Sequence, residues 1–353
     1  MAWDAAEIKS LLGSRAESLA RELVPDGVRS GHYWIARCPW RGDANAGSFW
    51  INLPGQGVKV PGSWRDAATD EKGSALDLVM KVHGLDFKGA LQWSASWLGL
   101  SDMPAAERKQ RLEREQRRQV EAVASEAEDL DKARRWALAK YIESRKRPFV
   151  GSAADTYLKS RGIDVRRLGR MPGVLGWLPE QRHHESGARL PVMLAGIQND
   201  DGETIGIHRT FLRPDGSAKA DVAPQRKVWP RGLAGGVIRL WRGENKVSIA
   251  EACKSGLAEK WVICEGVEDG LSSVLADPGP RVVCAVSLTN LAHVRLAPCC
   301  WEVVVWQDND WSKPQARRDF DKAIAALARQ CPRIAIARSA IGKDANDALR
   351  GEG

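Results

Sequence analysis

Between residues 258 and 350 short apolar runs of strand length alternate with segments of helical spacing, and no other feature restricts the fold as much. KWVICEGV reads as a strand followed by the helix EDGLSSVLA, and RVVCAVS and WEVVVWQDND read as further strands. ARRDFDKAIAALARQ is a helix, RIAIAR a strand and KDANDALR a terminal helix. Strands joined by helices in this way predict a parallel sheet with helices on its faces. Ligands of such sheets bind outside the carboxyl ends of the strands. Acids stand at three of those ends. Glu265 directly follows WVIC, Asp308 and Asp310 directly follow EVVVWQ, and Asp344 and Asp347 come after RIAIAR and a short loop.

A single acid after a strand is most often a helix cap or a turn residue. An ordered set on three successive strand ends is a different matter, because a sheet that brings those strands together brings the carboxylates together. Oxygen ligands converging without His or Cys suit Mg2+ (or Mn2+) better than zinc. Magnesium keeps several waters and is held by one or two carboxylates plus substrate phosphates, the arrangement of nucleotidyl transfer and phosphodiester cleavage.

The rest of the chain supplies context. Its 353 residues are enough for two or three domains, and 43% hydrophobic with 28% charged residues is the composition of a globular protein. No apolar run reaches the ~18 residues of a membrane span, and MAWDAAEIKS lacks a charged-then-apolar signal pattern, so a cytoplasmic address is expected. The net charge of +8 favours a polyanionic partner, since Lys and Arg that neutralise phosphates release condensed counterions. The seven cysteines are scattered without a CxxC pair, so no zinc knuckle is spelled out.

Four regions separate. Residues 1–100 open with Ile8, Leu11, Leu12, Leu19 and Leu23 at helical spacing up to Pro25, continue with the strand-like HYWIARC and SFWINL, and return to helical spacing from Ser74. Residues 101–147 are charged, rich in Ala and nearly free of Gly and Pro, which predicts a long exposed helix or pair of helices. Residues 148–255 read as a mixed α+β domain, with LPVMLAGIQNDDGETIGIHRTFL as a hairpin turning at Asn199-Asp200-Asp201-Gly202. Residues 256–353 carry the alternation described above.

The acid-bearing segments resemble a known family. Glu265-Gly266-Val267-Glu268-Asp269-Gly270-Leu271 resembles the first motif of Toprim domains, and Asp308-Asn309-Asp310 resembles their DxD motif. Ser287-Leu288-Thr289 lies between them, where related primases turn from strand to helix on small residues. Gly342-Lys343-Asp344-Ala345-Asn346-Asp347-Ala348-Leu349 is similar to the GKDxxDxL ending of bacterial and phage primases of the DnaG type. The resemblance implies a Rossmann-like Toprim domain in which Glu265, Asp308 and Asp310 are catalytic and hold the metal. Glu265 would also act as general acid or base, Asp344 would join the metal set, and Lys343 would meet a phosphate. Such primases follow DxD with a pair of small residues, whereas here Trp311-Ser312-Lys313-Pro314 puts bulk beside the metal loop.

The upstream regions extend the resemblance. Ile197, Asp200, Gly202, Gly206, His208 and Arg209 are similar to a strand pair of primase polymerase cores, and Gln225-Arg226-Lys227 falls where these enzymes place a Lys. This implies nucleotide or nucleic-acid contacts for Arg209 and Lys227; read alone, they are solvated basic residues on a β surface. His183, His184 and His208 lack a further Cys/His cluster at ligand spacing, which points to structural or phosphate-contacting roles. The first 100 residues resemble the primase zinc-binding module without its metal. Cys38-Pro39-Trp40-Arg41 stands where the family has CPxH, Gly62-Ser63-Trp64-Arg65-Asp66 replaces the second Cys pair, and Gly73-Ser74-Ala75-Leu76-Asp77-Leu78 is similar to its helix start. One thiol builds no zinc site; no zinc is expected, with packing of Trp34, Trp40, Trp50 and Trp64 in its place.

The expectation is therefore a multidomain α/β protein: a degenerate zinc-finger-like module, a charged helical linker, a mixed α+β subdomain and a Toprim domain. Its expected activity is Mg-dependent synthesis of short RNA primers from NTPs on single-stranded DNA. A Toprim nuclease using the same acids, and a non-catalytic nucleic-acid-binding accessory protein of a phage or mobile element, are the alternatives. Topoisomerase chemistry is disfavoured, because Tyr33, Tyr141 and Tyr157 all precede the acids. No G-x-x-x-x-G-K-[ST] is present, so any helicase is expected to be a separate partner.

Overall fold

The computed structural model describes residues 4–43, 46–55, 58, 60–100, 105–309, 314–339, 342 and 344–351. Their contacts divide the chain into two units, Met1–Leu130 and Asp131–Gly353. Asp310, Trp311 and Lys343 lie outside the described residues.

In the first unit the opening apolar stripe forms two helices, α1 (Ala5–Ser14) and α2 (Ala16–Leu23), separated at Arg15. Asp4 caps α1 by accepting from the Ala6 N–H at 2.8 Å. Five short strands follow: β1 (Val28–Ser30), β2 (Tyr33–Ala36), β3 (Phe49–Asn52), β4 (Trp64–Asp66) and β5 (Glu71–Gly73). They pair antiparallel in chain order. The helices α3 (Ala75–His83) and α4 (Phe87–Trp97) close the unit, α3 beginning at a Ser74/Asp77 capping box and ending at Gly84 in the left-handed conformation. Trp40, Phe49 and Trp64 pack ring against ring. Beside the buried Cys38, Arg41 grips Asp43 at 2.6 and 2.8 Å and the fully buried Asp66 at 2.8 Å, an ionic link between the loop after β2 and strand β4.

The charged segment forms one helix, α5 (Ala105–Arg145). Its last turns belong to the second unit, where Ala137 and Tyr141 are buried with Leu178, Val192, Leu194, Ile207 and Phe211. After α6 (Ala153–Ser160) and a 3-10 turn (Val165–Leu168) come β6 (Leu175–Arg182), β7 (Arg189–Gln198), β8 (Thr204–Phe211) and β9 (Arg226–Trp229), an antiparallel sheet in chain order. The expected hairpin is β7–β8, with Gly202 at a positive φ of 88° in its turn.

A second sheet follows, built from β10 (Ile238–Arg242), β11 (Glu259–Cys264), β12 (Arg281–Cys284), β13 (Cys300–Gln307) and β14 (Ile334–Arg338). Its order is β10-β12-β11-β13-β14. The last four strands are parallel, and β10 is an antiparallel edge. Helices α7 (Ile249–Lys254), α8 (Val267–Ala276), α9 (Leu288–Leu291), α10 (Pro314–Ala328) and α11 (Ala345–Arg350) complete the unit. Alternation along the strands fills both faces. Trp261, Ile263, Val303 and Val305 join the core containing Leu291, Phe320 and Leu327, while Val262 and Cys264 join Val267 and Leu271 of α8. Gly270 lets α8 lie this close to the sheet, since a Cβ there would come within 2.6 Å of Leu240 and 2.8 Å of the Cys284 sulfur. Among the described residues no helix is long and apolar enough to cross a membrane.

Candidate active site at the carboxyl ends of the parallel strands

β11 and β13 are parallel neighbours, with Ile263 opposite Val305. Glu265 and Asp308, each one residue past its strand, therefore emerge at the same edge. β14 lies on the far side of β13, so the loop leading to Asp344 reaches that edge too. The chain leaves β11 toward β12 and returns to the other side of β11 for β13. The crevice at such a reversal of strand order is where open α/β sheets bind ligands. A cleft of about 40 Å³ opens here, lined by Glu265, Ser287, Gln307, Asp308 and Arg317 among others.

The backbone around the cleft is fixed. Val286 has a positive φ of 72°, a strained conformation for a β-branched residue, and donates its N–H to the Glu265 carbonyl at 3.0 Å. The next residue, Ser287, caps α9. The Asn309 side chain donates to the carbonyls of Ser339 at 3.2 Å and Gly342 at 2.9 Å, tying the loop after β13 to the loop before α11. Asp344 caps α11 by accepting from the Asp347 N–H at 3.0 Å. Asn346 is fully buried and donates to Ser272 of α8 and to the carbonyl of Arg161. Asp344 and Asn346 thus start the terminal helix and lock it down against α8.

One acid was not singled out in the sequence. Asp269, in the first turn of α8, accepts from the Asn346 N–H at 3.2 Å. Burial, and then the charges of Asp344 and Asp308, push its carboxyl up to about 7. The charges of Asp308 and Asp344 therefore both bear on Asp269. The signal in the sequence was its place inside the Glu265–Leu271 motif and not a helical spacing, since Glu265 precedes α8. Among the described residues no three His, Cys, Asp or Glu side chains form a ready-made metal cage. Magnesium does not require one, because one or two carboxylates and substrate phosphates suffice. A half-buried, oxygen-only pair, Glu265 and Asp308, with the Asp269 carboxyl nearby, fits such an ion.

Basic residues approach from the antiparallel sheet, and strand alternation decides which. In β8–β9, Thr210 pairs with Arg226, Arg209 with Lys227 and His208 with Val228. Arg209 and Lys227 thus share one face and His208 and Arg226 the other. Arg209 is buried, its guanidinium over the rings of Trp136 and Phe211 at 5.7 and 5.8 Å. Lys227 is held by both oxygens of Glu185 at 2.5 Å. Arg226, on the opposite face, is exposed, and its guanidinium would stand 3.7 Å from a Cβ placed on Gly266. It is Arg226 that reaches the first acid motif.

On that same face lies a buried polar knot. Glu268 of α8 accepts from the Tyr157 hydroxyl at 2.6 Å and pairs with Lys219 at 2.9 Å. Burial alone would raise its carboxyl, but the Lys219 charge, the Tyr157 and Lys219 hydrogen bonds and the Arg226 charge override this and hold it at about 2. Burial lowers His208 to about 4, so its imidazole is neutral. His183 is structural, bonded to Ser186 at 2.9 Å and the Pro224 carbonyl at 3.1 Å. A carboxyl depressed in the folded state adds stability that is complete above its unfolded value and vanishes as pH falls toward the folded one. Glu268→Gln should therefore cost on the order of 3 kcal/mol at pH 7. Urea titrations of the two proteins should converge as pH drops below 4.5; a gap constant between pH 7 and pH 3 would refute the assignment.

Comparison with known proteins places these features. Residues 260–353 match the family model of the Toprim domain, and residues 132–240 match DUF7146, a domain of unknown function. No curated protein matches the chain. Among solved structures, the zinc-binding and RNA polymerase domains of Aquifex aeolicus primase align with 98% of this chain and 82% of their own, at 16% identity and a TM-score of 0.38. A DnaG catalytic core aligns with 64% of this chain and 76% of its own, at 16% identity and a TM-score of 0.42. The RNA polymerase domain of Mycobacterium tuberculosis primase aligns with 64% and 82%, at 17% identity and a TM-score of 0.38. The protein is a mixed α/β chain of more than one domain, and its residues 260–353 are a Toprim domain.

Proposed function

We propose that this protein is a primase-like nucleotidyltransferase that joins ribonucleotides into short primers on single-stranded DNA. The observation that carries the reading is that Glu265 and Asp308 follow neighbouring parallel strands at the point where the strand order reverses, with the loop after β14 tied to the loop after β13 through the Asn309 side chain. The order of the Toprim and GKDxxDxL motifs along the chain supports it. Glu265 and Asp308 would hold Mg2+, and the motif resemblance would add Asp310 and Asp344 to the metal set. The ion supplies positive charge for the oxygens of the phosphate under attack. Lys343 would meet a phosphate of the incoming nucleotide. Arg226 would orient nucleotide or template phosphate from the facing sheet, and the Glu268–Lys219–Tyr157 knot keeps α8, and so the first motif, against that sheet. After burial, the charges of Asp344 and Asp308 raise the Asp269 carboxyl, and the negative field that this reports favours a cation.

The test is to incubate the whole protein with single-stranded DNA, labelled NTPs and Mg2+ or Mn2+. Short ribo-oligomers that require both template and metal support the proposal. DNA shortening without NTP consumption marks a nuclease instead, and DNA binding with neither product marks an accessory protein. Strand alternation adds a sharper expectation. Arg226→Gln should weaken nucleotide or template use about tenfold, the worth of one charge-assisted hydrogen bond. Lys227→Gln, on the opposite face, should stay within about twofold. Equal losses in the two variants would remove Arg226 from the site.

A further inference from the structure

The second unit holds a concentration of arginine that the acid site does not use. A cavity of about 540 Å³ is lined by Arg145, Arg170, Arg239, Arg242 and Arg281, and Asp201 is the one carboxylate among its described lining residues. It sits by the amino end of β12, where Arg242 of β10 pairs with Arg281. Glu265 lies past the other end of the neighbouring parallel strand, about 13 Å of strand length away at ~3.3 Å per residue.

The charges here are not balanced. Arg281 is satisfied, with Glu259 at 2.6 and 2.8 Å and the Val247 carbonyl at 3.0 Å. Arg170 is different. Its guanidinium lies over the Trp241 ring at 4.2 Å, and its Nε and Nη2 are buried without a hydrogen-bond partner. Burial, and then the charges of Arg242 and Arg281, work against its protonated form. Arg239 donates one nitrogen to the carbonyls of Asn199 and Asp200 at 2.8 and 2.7 Å, yet its Nε is also buried and unpartnered. Burial and Arg281 likewise disfavour its charge, with Asp200 and Asp201 offsetting part of this. Arg145, over the Tyr141 ring at 5.6 Å, adds a further cation.

Unpaired buried guanidinium N–H groups are costly, and planar forks in this number match the tetrahedral oxygens of phosphate. We propose that this cavity is a second anion site, for a multiply charged phosphate group: the polyphosphate tail of a nucleotide or a run of nucleic-acid phosphodiesters. Its volume falls in the range of small-molecule sites. Because no acid of the candidate active site takes part, binding requires no divalent ion.

The test uses the whole protein in EDTA, with sodium tripolyphosphate and oligo-dT as probes. Arg170→Gln is expected to weaken binding of at least one probe by about tenfold. Arg242→Gln, at an exposed position, should weaken the same probe, while Asp308→Ala should leave it unchanged. Loss of tripolyphosphate binding alone assigns the site to a nucleotide tail; loss of oligo-dT binding that tripolyphosphate also displaces assigns it to the nucleic-acid backbone. Arg170→Gln should melt no lower than wild type without ligand, because it removes a buried unpaired charge; a merely structural arginine would lower the melting temperature. Affinities for both probes within about twofold of wild type in Arg170→Gln and Arg242→Gln would overturn the proposal. So would the absence of any binding by the wild-type protein.

Discussion

Asp308→Ala is expected to lower primer synthesis on the order of 10²- to 10³-fold while the protein melts no lower than wild type at pH 8. The two halves of this result have one cause. Asp308 stands at the strand reversal beside Glu265, and it is one of the charges that keep the Asp269 carboxyl near 7. Removing a carboxylate that would hold the ion forfeits several kcal/mol of charge stabilisation during phosphoryl transfer, and each 1.36 kcal/mol is a tenfold change in rate. Removing the same carboxylate relieves repulsion on Asp269 in the ligand-free protein. Loss of activity with a retained or higher melting temperature separates a site residue from a structural one. An activity loss below about tenfold, or a loss that tracks unfolding, would take Asp308 out of the metal set.

The second large effect lies at the other end of the sheet. Glu259→Gln is expected to destabilise the second unit by about 3–5 kcal/mol, measured by urea denaturation followed by far-ultraviolet circular dichroism. Glu259 and Arg281 are 4% and 3% exposed, so neither charge has water to fall back on. Two hydrogen bonds join them across the parallel neighbours β11 and β12. Neutralising one partner strands the other, and that cost is a large part of a domain's total stability of about 5–15 kcal/mol. Glu259→Leu combined with Arg281→Leu should regain much of it, because apolar packing often replaces a buried ion pair at no loss. A single variant as stable as wild type would show that the pair contributes little.

Much of the fold was legible because of how parallel sheets are buried. Strands covered on both faces read as continuous apolar runs, which is why WVIC, RVVC and EVVVW identify themselves without partners. Strand β10 was counted with the preceding region because an antiparallel edge carries no strand–helix alternation; only its pairing with β12 assigns it to this sheet. In the same way Arg226 and Lys227 are equivalent in sequence. A strand of period two sends neighbours to opposite faces, and the pairing of Arg226 with Thr210, on the His208 side, decides which face meets α8.

The sequence by itself determined the alternating α/β architecture, the acids at the strand ends and the Toprim motif order, because these are local patterns of burial and spacing. Only the tertiary structure decided that Asp269 shares the field of Asp308 and Asp344, that Glu268 locks α8 to Tyr157 and Lys219, and that Arg170 and Arg239 face a common cavity. Those relations join residues far apart in the chain. Electrostatic and hydrogen-bond energies depend on separation in space, which strand order and helix packing set and residue spacing does not.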